Sequence, residues 1–288
     1  MRERKQKELK DLNLLDKFLF DEAVAAPGFL EDVLSIILER DVELNYPPQS
    51  EREVRMDTGN REVRLDVWAE DTLGTIHDTE VQKENKGNLP KRFRLYHSLI
   101  ASKLLARGFR DFKPLNDVVV IVIAPFDLFG ENRCRYTFHM SCDEVPGLQL
   151  NDGMTTIFLN TRGTVRDGVT DELVELLKYF EETTEENAEN STSERIKRLQ
   201  KQIQRIRVDE KVGIRFMNRW EEEMEWREEG LEEGRKEGRE EGREEGRIEL
   251  LASLVREDVL TTTDAAGKAE MSLEEFRSRA GLEKEEKE

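Results

Sequence analysis

Residues 118–124 read VVVIVIA, seven consecutive apolar positions of which six are β-branched. β-Branched side chains are stiff at χ1 and suit a pleated strand better than a helix. A run this short, with no polar face, reads as a strand buried on both sides, so its sheet needs helices on both faces. The neighbouring patterns supply them. LLDKFLFDEAVAAPGFLEDVLSIILER reads as two helices broken at Pro27–Gly28, the second with Phe29, Leu30, Val33, Leu34, Ile36 and Ile37 on one apolar face. LPKRFRLYHSLIASKLLARG (89–108) reads as a helix opened by Pro90 and stopped at Gly108, and TDELVELLKYF (170–180) as a closing helix. REVRMD (52–57) and EVRLDVWAE (62–70) read as strands flanking the turn TGNR. TIHDTEVQ (75–82) follows a turn at Leu73–Gly74, and YTFHMS (136–141) and MTTIFLN (154–160) complete the strands. The succession describes an α/β domain over residues 1–180, a sheet flanked by helices.

Beyond it, EETTEENAENSTS (181–193) is expected to be an acidic, solvated linker. Within 194–250, Ile196, Leu199, Ile203 and Ile206 recur at 3-4-3 spacing, and Met217, Trp220 and Met224 at 3-4. These coiled-coil-like seams either pair two chains into a homodimer or fold back on the domain. Glycine then recurs every fourth residue from Gly230 to Gly246 among Glu and Arg. Each interior glycine costs a helix about 1 kcal/mol relative to alanine, and Glu–Arg pairs return only a few tenths. Residues 251–288 read as a small helical unit, with Ser272 and Glu275 set as a capping box.

The net charge of −18, taken alone, argues against a nucleic-acid partner, because phosphate favours a basic surface. Its distribution removes that objection. Residues 181–190, residues 221–250 and the last six carry −15 of it, which leaves the rest of the chain near neutral and free to meet DNA. Two cysteines, Cys134 and Cys142, are too few for a disulfide scaffold or a zinc ribbon. With no apolar run of membrane length and no signal-peptide pattern, the expectation is a cytoplasmic protein with no membrane segment. His77, His97 and His139 lack metal-ligand spacing and are expected to be structural or on the surface.

The chemistry gathers in LDVWAEDTLGTIHDTEVQ (65–82). A hairpin there brings Asp66 and Glu80 to one sheet edge, and Gln82 shares the face of Glu80 along with Ile76 and Asp78. Magnesium takes hard oxygen ligands, commonly one or two carboxylates plus other oxygens and water. Asp66, Glu80 and the carbonyl of Val81 are therefore candidate ligands for Mg²⁺, with Mn²⁺ as the alternative, and Gln82 is a candidate to orient water. Two acids on a hairpin equally describe an ordinary polar turn, and the residues alone leave both readings open. The same holds for Lys91, Arg92, Arg94, Lys103 and Arg107, which make the 89–108 helix either a solvated face or a set of phosphate contacts, with Tyr96 among them.

The ordered set VRLDVWAED…GTIHDTEVQ…LPKRFRLYHSLIASKL…DFKPLNDVVVIVIAPF resembles the PD-(D/E)XK nucleases, and specifically the PD-(D/E)XK nuclease family transposases, or recombination-promoting nucleases. The resemblance covers roughly residues 12–180. It implies a restriction-endonuclease-like mixed central sheet flanked by helices, followed by a helical C-terminal extension. It further implies a metal-dependent endonuclease acting on double-stranded DNA in transposition or recombination. Asp66 and Glu80 match the metal ligands, and Gln82 stands where the broader superfamily often carries lysine. Arg92 and Tyr96 match a helix facing the site or the DNA backbone, and Glu31 or Asp32 is the candidate for an extra N-terminal acid. A glutamine carries no charge. That, with the acidic tail, sustains an alternative: an inactive nuclease-like DNA- or protein-binding module that oligomerises through its helical C-terminus.

Overall fold

A computed structural model describes residues 7–54, 63–104 and 111–282. The chain divides into two units between Phe216 and Met217. The first is built on six strands: β1 (Gln49–Val54), β2 (Val63–Glu70), β3 (Ile76–Val81), β4 (Val118–Ala124), β5 (Arg135–Phe138) and β6 (Met154–Asn160). Their order is β1-β2-β3-β4-β6-β5, with β3, β4 and β6 parallel and the other pairs antiparallel. This is the mixed α/β sheet expected of a restriction-endonuclease-like fold.

The valine-rich run is the central strand β4, and its side chains divide between two cores. Val118, Val120, Val122 and Ala124 pack with Leu89, Phe93, Tyr96, Leu99 and Ile100 of α3 (Leu89–Leu104). Ile121 and Ile123 point the other way. There they meet Phe18, Leu19 and Phe20 of α1 (Lys17–Val24), the apolar face of α2 (Phe29–Leu38), and Leu173, Leu176 and Phe180 of α4 (Asp171–Glu181). The break between α1 and α2 falls at Pro27–Gly28, where Gly28 takes a left-handed φ of 78° as the N-cap of α2.

Residues 181–193, read from their glutamates as a linker, hold the short helix α5 (Glu185–Glu189) instead. Ala188 belongs to the larger core, and Thr183, Ser191 and Ser193 are buried. Acidic composition concealed the two caps that organise the segment: Thr184 accepts from the Asn187 N–H at 3.3 Å, and Ser193 from the Ile196 N–H at 3.3 Å. Helix α6 (Glu194–Val208) then lays Ile196, Leu199, Ile203 and Ile206 into that same core. This first seam is committed to the body of its own chain. The TGNR turn and Gly108 lie outside the described residues, and the strand read at 136–141 ends at Phe138 on the sheet edge.

Helix α7 (Glu210–Arg256) is continuous through the glycine repeat. In the second unit its Ile248, Leu251 and Ala252 pack with Ala265, Ala266 and Ala269 of α8 (Thr262–Ala269) and Phe276 of α9 (Leu273–Arg279). The Ser272 side chain accepts from the Glu275 N–H at 3.1 Å, half of the expected capping box.

Candidate active site

The hairpin that carries the acids is set by one buried carboxylate. Asp71 Oδ1 accepts from the N–H groups of Leu73 (3.0 Å) and Thr75 (2.9 Å), and Gly74 completes the turn at φ 81°. Asp71 Oδ2 accepts from Arg40 at 2.7 Å and lies 3.1 Å from Nε2 of the buried His77. Burial alone pushes the Asp71 carboxyl up, but the hydrogen bonds from Arg40, His77 and Thr75 outweigh it and hold its pKa below the ordinary value. His77 is structural, as expected; burial depresses its pKa and keeps the ring neutral near pH 7.

From that turn the β2–β3 register runs Glu70↔Ile76, Ala69↔His77, Trp68↔Asp78 and Val67↔Thr79. At the next step a side chain takes over from the ladder: the Asp66 N–H donates to Glu80 Oε1 at 3.2 Å. Asp66 and Glu80 are thereby fixed side by side where the two strands part. Glu80 is 1 % exposed, and its second oxygen accepts from Arg92 of α3 at 2.7 Å. Arg92 also donates to Gln82 Oε1 (3.1 Å) and, through Nε, to the Tyr96 hydroxyl (2.6 Å). All three guanidinium nitrogens are engaged, and the cation lies 5.3 Å from the centre of the Tyr96 ring. Gln82 completes its contacts by donating from Nε2 to the Glu84 carbonyl at 3.2 Å.

Burial raises the pKa of Glu80 to about 7, helped by the charge of Asp66 and opposed by Arg92 and the Asp66 N–H. Burial, with the Glu80 charge second, also raises the Tyr96 phenol and keeps it protonated. Asp78, two residues before Glu80 on the same face of β3, is wholly buried, and neither of its carboxyl oxygens has a hydrogen-bond partner among the described residues. Burial and then the charges of Glu80 and Asp66 hold its pKa far above the usual carboxylate range. On the other side, Asp66 is paired with Lys17, the first residue of α1, which also lies 3.6 Å from Asp21 one turn later. The start of α1 is tied to the end of β3 through Asp16, which accepts from Lys83 at 2.6 Å.

The sequence model of the PD-(D/E)XK nuclease family transposases matches residues 25–229. The chain belongs to that family. No curated protein and no solved structure matches it.

Within this PD-(D/E)XK chain, the geometry unites five of the residues expected to form the site: Asp66, Glu80, Gln82, Arg92 and Tyr96. Val81 adjoins them, its side chain buried in the larger core. Arg94 and Lys103 lie exposed elsewhere on α3, outside this network, and Arg107 falls outside the described residues. The candidate N-terminal acids are occupied with the scaffold: Glu31 accepts from the Leu44 N–H at 3.3 Å, and Asp32 binds Arg198 at 2.5 Å. Lys17 was not legible as a site residue. It is distant from Asp66 in sequence, and the N-cap Asp16 before it announces a helix start, not a site. Asp78 did carry a signal, since the alternation of β3 placed it on the face of Glu80.

Among the described residues no three His, Cys, Asp or Glu side chains are grouped to hold an ion. Asp66 and Glu80 are the adjacent carboxylates that could hold one. That number suits magnesium, which keeps several waters and uses one or two protein carboxylates.

Proposed function

We propose that this site hydrolyses phosphodiester bonds of double-stranded DNA with Mg²⁺, or Mn²⁺, held by the carboxylates of Asp66 and Glu80 and the carbonyl of Val81, in the service of transposition or recombination. The observation that supports this most is Glu80. A carboxylate buried to this degree contributes little to stability, yet Arg92 and the Asp66 N–H hold it toward ionisation beside a second acid. Two adjacent acids, one of them buried and held toward ionisation, are what a divalent cation relieves. When bound, the cation supplies Lewis-acid polarisation of the phosphate and acidifies water.

The chain's own groups do the rest. Arg92 fixes the rotamer of Glu80 and ties it to Gln82, and Tyr96 fixes Arg92 in turn. Gln82 keeps a second amide hydrogen and a second lone pair with which to orient the attacking water. The exposed Arg94 and Lys103 contact the DNA backbone and position it without reading sequence. The test is purified protein with supercoiled plasmid and Mg²⁺ or Mn²⁺. Wild type converts the plasmid, and Asp66→Ala and Glu80→Ala do not; cleavage at wild-type level by either variant refutes the assignment.

One observation favours a second reading. Both proposed ligand carboxylates already carry a protein cation, Lys17 on Asp66 and Arg92 on Glu80, as expected of a nuclease-like binding module that no longer takes a metal. Calorimetry separates the two: no heat with Mn²⁺, alongside intact DNA binding by gel shift, selects the module. The second seam, with Met217 and Met224 exposed on α7, is the proposed surface for self-association in either case.

A further inference from the structure

Among the described residues two cations meet the paired acids, Arg92 on Glu80 and Lys17 on Asp66. Arg92 spends every guanidinium nitrogen on Glu80, Gln82 and Tyr96. Lys17 presents one ammonium on a flexible stem, with its side chain 32 % exposed, and pairs with Asp66 and, at 3.6 Å, with Asp21. Its position is built. Asp16 caps α1 by accepting from the Phe18 N–H at 3.3 Å, and the same carboxylate is bound by Lys83, one residue after Gln82. The first turn of α1 is thereby fixed to the end of the strand that carries Glu80 and Gln82. Lys17 also lies before residues 25–229, the part of the chain that the family model matches.

We propose that Lys17 supplies to the reacting phosphate the positive charge that Gln82 cannot bring, so that the site's lysine enters from helix α1 and not from strand β3. The proposal rests on the endonuclease reading above. In the step it serves, a water oxygen bonds to phosphorus as the bond to one bridging oxygen breaks. The water gives up a proton to solvent, and the departing alkoxide takes one up. Lys17 exchanges no proton in this step; it turns from Asp66 toward a non-bridging phosphate oxygen and stabilises the charge that develops there. While no phosphate is present, the same ammonium neutralises Asp66 and competes with a metal ion for it.

The full-length protein tests this with Lys17→Met, Lys17→Arg and the double variant Lys17→Met/Gln82→Lys, each checked for a wild-type circular dichroism melt. Plasmid cleavage by Lys17→Met is expected to fall at least ~100-fold, the loss typical of removing one charge-stabilising group. Mn²⁺ affinity measured by calorimetry is expected to rise several-fold, because Asp66 loses its counter-ion. Lys17→Arg retains part of the rate, and Gln82→Lys in the double variant restores at least a tenth of it by returning an ammonium from the strand. A Lys17→Met protein that cuts like wild type overturns the proposal. So does one that binds Mn²⁺ more weakly, since that reports a lysine that merely positions Asp66, and so does a double variant with no recovery. A wild-type protein that cuts nothing removes the endonuclease reading and this proposal with it; an active wild type with an equally active Lys17→Met removes this proposal alone.

Discussion

Replacing Asp78 with valine should stabilise the protein, and by an amount the structure sets. Asp78 sits in β3 between Trp68 of β2 and Val120 of β4, wholly buried, with neither carboxyl oxygen bonded among the described residues. Burial and then the nearby charges of Glu80 and Asp66 raise its pKa well above the usual carboxylate value and favour the neutral form, and a neutral polar group without a partner sets the lower bound of the cost. Such a group costs about 1–3 kcal/mol, and burying a valine in its place contributes about 1.5 kcal/mol. Together these give a gain of roughly 3 kcal/mol. At about 3 °C per kcal/mol for a chain of this size class, the melting temperature rises by about 9 °C. Asp78→Asn is the control: it keeps the shape and an unbonded amide, and its stability should stay within about 1 kcal/mol of wild type. Thermal and urea melts of the three proteins at pH 7.5 decide it. If Asp78→Val melts at or below the wild-type temperature, the Asp78 carboxyl is bonded in the folded protein and carries no such cost.

Four further outcomes follow from other parts of the chain. Glu80 has its folded pKa raised to about 7, so its charged form is the costly one: the stability it withholds at pH 8 returns as pH falls through 7 toward the ordinary value of 4.5. A metal must displace that proton below pH 7, so Mn²⁺ affinity by calorimetry should rise about tenfold per pH unit from 5 to 7 and level off above; a flat profile separates Glu80 from the metal. Asp71→Ala breaks the turn and removes the ion-pair partner of Arg40 and the hydrogen-bond partner of the buried His77, which should cost about 3 kcal/mol in urea unfolding, and an unchanged midpoint contradicts that role. Truncation after residue 192 strips Ile196, Leu199, Ile203 and Ile206 from the core, a loss of about 6–12 kcal/mol at 1.5–3 per side chain. The fragment should therefore be unfolded by circular dichroism, and a soluble fragment with the wild-type melt refutes the packing of α6. Space around Gly234, Gly238 and Gly242 is open among the described residues, so alanine at all three should raise helicity and add about 1 kcal/mol per site to α7; a fall in helicity shows that the glycines pack against something.

The parts of the fold that could be read in advance are those where one local pattern has one outcome. VVVIVIA has no polar face to offer solvent, so β4 emerged at the residues expected of it, and MTTIFLN likewise became β6. Alternation along TIHDTEVQ was enough to place Asp78, Glu80 and Gln82 on one face, and the Leu73–Gly74 turn enough to set Asp66 beside Glu80. Ambiguity entered where one pattern has two outcomes. Apolar residues at 3-4-3 spacing serve a helix pairing with another chain and a helix docking on its own body equally well, and α6 does the second. Glutamates in 181–193 hid an ordered segment, because the caps on Thr184 and Ser193 depend on where the next helix packs. Least legible were contacts between distant residues. Nothing near Lys17 points to Asp66, and nothing near Arg40 points to Asp71, since only the folded sheet brings them together.

The central claim is that Asp66 and Glu80 share one ion. A crystal of the full-length protein soaked in Mn²⁺, with data collected at the manganese absorption edge, tests it directly. A shared ion gives one anomalous peak within bonding distance of both carboxylates, with Lys17 withdrawn from Asp66. A map with no peak at this edge of β2 and β3, or with the ion bound elsewhere while Lys17 and Arg92 still hold the two acids, contradicts it.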